Sequence, residues 1–323
     1  YCSQTRKEGI AVMKRKKTFW RLIGLVLIIL VPLLSFVGYK TMRKSQGVDI
    51  KITSMTSTES SIMANMISEL INHELGYQTT LITNLGSANV QHQALLRGDA
   101  DIASIRYTGT DLTGTLSLPA EKDPQKASRT VKKEFQKRFD QTWFPTYGFS
   151  DTYAFMVTSD YAKKYNLQTV SDLKKVQSSA KVGVDSTWMN REGDGYRDFA
   201  KAYGFNFKSI YPMQIGLVYD AVESDKMQTV LGYSTDGRIS SYDLTILEDD
   251  KRFFPPYEAS MVVNNNLLRK YPKLKKVLHR LDGKINLKMM QQLNYQVDDK
   301  LLEPSVVAHN FLREHNYFRE AGD

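Results

Sequence analysis

Thr146-Tyr147-Gly148-Phe149-Ser150-Asp151-Thr152-Tyr153 decides how the chain is divided. Upstream, strand and helix patterns alternate, and directly after it the apolar run Ala154-Phe155-Met156-Val157 starts a new strand. The aromatic, glycine-punctuated stretch therefore reads as a crossing from one α/β unit to a second. Working back from it, Val48-Asp49-Ile50-Lys51-Ile52-Thr53 alternates as a strand, and Ser54-Met55-Thr56-Ser57-Thr58-Glu59 offers several helix N-caps. Ile62, Met63, Met66, Ile67, Leu70 and Ile71 then recur at helical spacing. A strand is expected over 79–84, a helix over 90–97, and a further strand running into Arg106-Tyr107-Thr108-Gly109-Thr110. A Lys-rich helix over 122–138 reads as a solvated face.

Working forward, the second unit contains a strand over 181–184, a loop Asn190-Arg191-Glu192-Gly193-Asp194-Gly195, and helices near 196–203 and 215–224. Val230-Leu231-Gly232-Tyr233 reads as a strand stopped by Ser234-Thr235-Asp236-Gly237, side chains that bond their own backbone beside a glycine. Leu244-Thr245-Ile246-Leu247 is a further β-rich run. Pro255-Pro256 then forces an extended crossing, so that Tyr257 falls on a connector. After it, the strand Ala259-Ser260-Met261-Val262-Val263 and helices to Phe318 return to the first unit. Two crossings joining two α/β lobes imply a hinge and a cleft between them. The expected division is 48–149 with 255–318 for the first lobe and 150–254 for the second.

The formal charge of +9 is concentrated at the amino terminus. Residues 1–46 hold ten Lys/Arg against one acid, which leaves 34 basic and 34 acidic residues in the remainder. A nucleic-acid surface is thereby excluded, because tracking phosphates needs an excess of basic charge. Cys2 is the single cysteine, so neither an internal disulfide nor a cysteine metal site can form. No cofactor or metal is expected.

Met13-Lys14-Arg15-Lys16-Lys17 reads as a start with a basic segment, residues 1–12 as upstream translation, and residues 1–18 as cytoplasmic. The uncharged run from Leu22 to Gly38 gives roughly 25 Å of helix, and Phe19, Trp20 and Tyr39 extend it towards the ~30 Å of a bilayer core. A membrane anchor over 19–39 is expected, with a cleaved secretory signal as the competing reading. The lack of a small-x-small site favours the anchor. The denser basic residues before the span place the amino terminus inside and the rest outside.

Four stretches now carry a resemblance: Tyr107-Thr108-Gly109-Thr110, Asp151-Thr152-Tyr153-Ala154, Tyr233-Ser234-Thr235-Asp236-Gly237-Arg238-Ile239, and Leu247-Glu248-Asp249-Asp250 through Phe253-Phe254-Pro255-Pro256-Tyr257. In order and spacing they resemble the substrate-binding proteins of osmoprotectant ABC importers, which carry glycine betaine, carnitine, choline and related quaternary amines. The resemblance covers about residues 48–318 and implies the two-lobed α/β solute-binding fold of type II. It also implies a cage of four tyrosines, Tyr107, Tyr153, Tyr233 and Tyr257, at intervals of 46, 80 and 24. A trimethylammonium group donates no hydrogen bond and is held by the negative faces of aromatic rings, at about 0.5–2 kcal/mol per ring.

The resemblance further implies that Thr110 and Arg191 grip a ligand carboxylate, with Arg191 alternatively forming an ion pair between the lobes. Asp151 either lines the cationic end or caps a turn. Where some members place Lys or Gln after the first strand, this chain has Ser54-Met55-Thr56-Ser57-Thr58, and it lacks their lipid-bearing cysteine. The partners implied are an ABC permease and its ATPase subunits. Catalysis is not expected. Gly232-Tyr233-Ser234-Thr235-Asp236-Gly237 is one residue too long for a nucleophile elbow, and the five histidines lie outside every motif. An extracellular sensor domain binding a small amine is the alternative reading.

Overall fold

The computed structural model describes residues 47–318. The expected anchor over 19–39 and the amino-terminal readings over 1–18 lie outside the described residues. Among the described residues, no helix is long and apolar enough to cross a membrane.

Two five-stranded sheets carry the fold, each on the same plan. In the first, β1 (Asp49–Met55), β2 (Gln78–Leu85) and β3 (Ile102–Tyr107) are parallel, and β10 (Ala259–Asn264) and β4 (Gln141–Trp143) complete the order β2-β1-β3-β10-β4. In the second, β6 (Lys181–Asp185), β7 (Ser209–Met213) and β8 (Thr229–Tyr233) are parallel, and β5 (Tyr153–Thr158) and β9 (Leu244–Ile246) complete the order β7-β6-β8-β5-β9. In each sheet the fourth strand is antiparallel to the third and begins just beyond a crossing.

The two crossings run side by side. Ser150 bridges Glu258, the Asp151 amide donates to the Tyr257 carbonyl at 3.1 Å, and the Tyr257 amide donates to Ser150 Oγ at 3.1 Å. The stretch at 146–153 is therefore one half of a paired crossing between the two sheets.

Helix α1 (Thr58–Leu75) buries Ile62, Met63, Met66, Ile67, Leu70 and Ile71, the stripe that the spacing requires. Ser57 stands at its N-cap position without making a side-chain capping bond, so the cap anticipated from this run is not formed. Ser60 Oγ instead accepts the Met55 amide at 2.8 Å, which fixes the turn from β1 into the helix. After α2 (Ala88–Arg97), the helix expected over 122–138 begins at Pro124 as α3 (Pro124–Phe139). Asp123 caps it by accepting from the Gln125 and Lys126 amides. It is not only a solvated face, since Ala127, Val131 and Phe135 bury a narrow stripe between its lysines.

The second sheet packs on an aromatic core of Phe155, Trp188, Phe199, Phe205, Phe207, Phe253 and Phe254. Between its strands lie α4 (Ser159–Tyr165), α5 (Tyr196–Tyr203) and α6 (Ile215–Glu223). The carboxyl-terminal helices α7 (Leu287–Asp298) and α8 (Pro304–Glu314) follow β10, and α7 reaches the turn after β8. There Asn294 Nδ2 donates to the Thr235 carbonyl and Gln291 Nε2 to the Ser234 carbonyl, both at 2.8 Å.

Candidate ligand cleft

The ends of β3, β5 and β8 meet at the hinge, the place in open α/β sheets where ligands bind. A cavity of about 270 Å³ opens there, lined by Tyr107, Thr110, Asp151, Tyr153, Arg191, Tyr233 and Tyr257. All seven residues singled out from the sequence thus face one space. Met55, Thr56, Ser57, Gly86 and Thr152 complete the wall, so the loop after β1 presents neutral groups only.

Tyr233 is the last residue of β8, Tyr153 is the first of β5, and the two are direct partners in the antiparallel ladder. Their rings lie 5.3 Å apart at 35°. The Tyr153 hydroxyl donates to Asp185 Oδ2 at 2.6 Å, and burial together with that bond holds its phenol far above the ordinary range. Behind Tyr233, the Tyr219 hydroxyl accepts the Tyr233 amide at 2.7 Å and donates to the Tyr233 carbonyl at 3.1 Å. Gly232 makes that clamp possible, because a Cβ there would lie 2.5 Å from the Tyr219 oxygen.

On the other side, Tyr107 ends β3 and its hydroxyl donates to Glu59 Oε1. Tyr257 stands on the second crossing, as its prolines imply, and packs over Gly109, where a Cβ would meet the Tyr257 ring at 2.9 Å. Beneath this corner, Arg106 and Asp111 form a fully buried ion pair, with Arg106 Nε donating to Asp111 Oδ2 at 2.9 Å. Asp111 opens a wide π-type turn that carries the chain away from Thr110.

Arg191 does not form the interlobe ion pair held out as its alternative. Its ion pair is with Asp194 of the same loop, through Nε at 3.0 Å and Nη2 at 2.9 Å. Nη2 also donates to the Tyr257 hydroxyl at 3.0 Å, and the guanidinium lies 5.5 Å from the centre of the Tyr153 ring. Part of its charge is thus balanced by Asp194.

Asp151 lines the same cavity, and with Glu59 it also lines the adjoining pocket. Burial, and then the neighbouring Glu59 carboxyl, push Asp151 well above the usual carboxylate range, and burial likewise raises Glu59. The cavity thus brings a guanidinium, a carboxyl and four tyrosine rings to one space.

Sequence reasoning missed Glu59, Asp185 and Tyr219. Glu59 did carry a signal: it falls on the apolar stripe of α1, three and four residues before Ile62 and Met63, where a carboxyl needs a reason. Asp185 likewise ends a strand of the second sheet at the cleft.

Residues 48–314 match the family model described as the substrate binding domain of ABC-type glycine betaine transport system. The chain is 52% identical over 303 residues to a carnitine transport binding protein of Listeria monocytogenes, covering 94% of this chain and 98% of that one. It is 36% identical over 263 residues to an ergothioneine transport permease/ergothioneine binding protein of Helicobacter pylori, covering 81% of this chain and 46% of that longer protein. A crystal structure described as a glycine betaine/carnitine/choline ABC transporter superposes with a TM-score of 0.81 at 54% identity, covering 84% of this chain and all of that one. The family so matched is one of transporter substrate-binding domains and not of enzymes. By its matched length, its fold and its relatives, the chain belongs to the family of substrate-binding domains of ABC-type glycine betaine transport systems.

Proposed function

We propose that the cleft captures a quaternary ammonium osmoprotectant, glycine betaine, carnitine or choline, and delivers it to an ABC permease with its ATPase subunits. One observation carries this reading. Tyr107, Tyr153, Tyr233 and Tyr257, from four separate parts of the chain, line a single small cavity together with the Arg191 guanidinium and the Asp151 carboxyl. In the proposed arrangement the four rings surround the trimethylammonium group near Asp151, and Arg191 with Thr110 receives a ligand carboxylate. The ligands for which the relatives are named support it, because carnitine, glycine betaine and ergothioneine all join a trimethylammonium group to a carboxylate. At about 0.5–2 kcal/mol per ring, the cage alone falls short of the roughly 8 kcal/mol of a micromolar complex once ordering is included, so both ends are needed.

Closure follows by hinge motion at the paired crossings, with lobes at 48–149 plus 255–318 and at 150–254. The segment 19–39 holds the domain at the membrane, with the amino terminus inside. A protease-protection assay on intact cells tests that topology, since complete release of the domain into the medium would exclude it.

Calorimetric titration with glycine betaine, carnitine, choline and proline tests the ligand class. Binding of a quaternary amine is expected, with a loss of about 2–30-fold in Tyr233→Ala. A folded protein indifferent to all four ligands would favour the sensor reading.

A further inference from the structure

We propose that Glu59 sets ligand affinity from behind the cage: it shares one proton with Asp151 in the empty cleft, and a bound quaternary ammonium ion drives that proton out. The inference rests on the ligand class proposed above and assigns a role to a residue that touches the cavity only through its neighbours.

Glu59 is 3% exposed, in the first turn of α1, and its Oε1 accepts from the Tyr107 hydroxyl. Its Oε2 is buried without a partner among the described residues, and so is Asp151 Oδ1. The two side chains line one pocket beside the cleft, and each acts on the ionisation of the other. Two neighbouring buried carboxyls, each with an oxygen that lacks a donor, leave those acceptors unsatisfied when both are ionised, and two negative charges in one such pocket cannot both persist. A single proton between them satisfies both oxygens and leaves the pair with one negative charge.

The groups acting most strongly on either carboxyl are the other carboxyl, Tyr107, Thr235 and Asn294, and none of these is basic. Ser57 stands next to Tyr107. The charged groups further round the adjoining wall are Asp236 with Arg238, which pair with each other, together with Asp298 and Asp299. Across the cavity, Arg191 is paired with Asp194, and Tyr153, Tyr233 and Tyr257 complete the titratable groups.

A cation entering beside Asp151 favours the second ionisation of the pair. The proton leaves to solvent, the pair gains one negative charge, and the ligand supplies the balancing positive charge. Binding linked to proton release strengthens as pH rises, by up to about tenfold per pH unit for one whole proton.

Glycine betaine and choline bring no group that titrates between pH 6 and 8, so any proton released comes from the protein. Calorimetry at pH 6, 7 and 8, in buffers of different ionisation enthalpy, is expected to show proton release and an affinity rising about three- to thirty-fold across that range. Glu59→Gln keeps an acceptor for Tyr107 and gives Asp151 a fixed donor. It is expected to bind with a flat pH profile and no buffer dependence, and Asp151→Asn, a second route to the same loss, should also release no proton. Wild-type protein that binds glycine betaine with a flat profile and no proton release overturns the inference.

Failure to bind any quaternary amine would instead refute the ligand class, and the shared proton is then judged without ligand. The infrared carbonyl band of a protonated carboxyl is expected in the empty protein at pH 7 and absent from Glu59→Gln. Its absence from the wild type refutes proton sharing.

Discussion

Tyr107 and Tyr233 hold equivalent places in the two lobes, each the last residue of the third strand of its sheet, yet they are fixed by different means. In the second lobe the ladder does the positioning, because Tyr153 is the direct partner of Tyr233 and the rings meet as a result. In the first lobe the ladder partner of Tyr107 is Ala259, and Tyr257 lies two residues before it on the crossing. Side chains take over there, with Glu59 holding Tyr107 and Arg191 reaching to Tyr257. One half of the proposed cage is thus built into a sheet, and the other depends on polar groups around the hinge.

The supports beneath the two corners differ as well, and breaking them gives the largest expected effects. Below Tyr107 lies the Arg106–Asp111 pair, both side chains wholly buried. Asp111→Ala leaves a buried guanidinium uncompensated, and a loss of about 3–5 kcal/mol is expected in chemical denaturation. A loss under about 1 kcal/mol would mean that Arg106 is solvated there and supports little.

Below Tyr233 the support is the Tyr219 clamp, and Gly232→Ala drives a methyl group against its oxygen. The expected cost is about 1–3 kcal/mol. Removing the obstructing oxygen as well, in Gly232→Ala/Tyr219→Phe, should recover part of it. If the double variant is no more stable than the single one, the strain lies at the Tyr219 ring carbon and Met156 Cε, 2.7 and 2.9 Å from that Cβ, and not at the hydroxyl.

The same contrast explains what could be read from the sequence. Strand and helix order follows from alternating and helical spacing, and the fixed backbone of Pro255-Pro256 is enough to put Tyr257 on a connector rather than in the ladder. The positions of the four tyrosines come through the motif resemblance, which their own spacing does not supply. What stayed hidden is carried by contacts distant in sequence. The Tyr107–Glu59 bond joins residues 48 positions apart, and the edge strand β4, with three residues, is too short to show a period. The buried partner of Arg106, five residues on, was hidden for another reason: an Arg and an Asp at that spacing ordinarily face water.

The smallest effect is the one that tests the comparison most directly. If the second-lobe rings act as a stacked unit, removing either disturbs the other, so their contributions to ligand affinity should not add. A double-mutant cycle on Tyr153→Ala and Tyr233→Ala, read by the glycine betaine Kd, is expected to give a coupling of about 0.5–1.5 kcal/mol. For Tyr107→Ala and Tyr257→Ala, positioned through separate polar partners, the coupling should fall below about 0.5 kcal/mol. Equal couplings in the two lobes would mean that the ligand itself, and not the ladder, brings the rings into register. That outcome would make the cage a product of closure, with Tyr153 and Tyr233 no better prepared than the pair at the hinge.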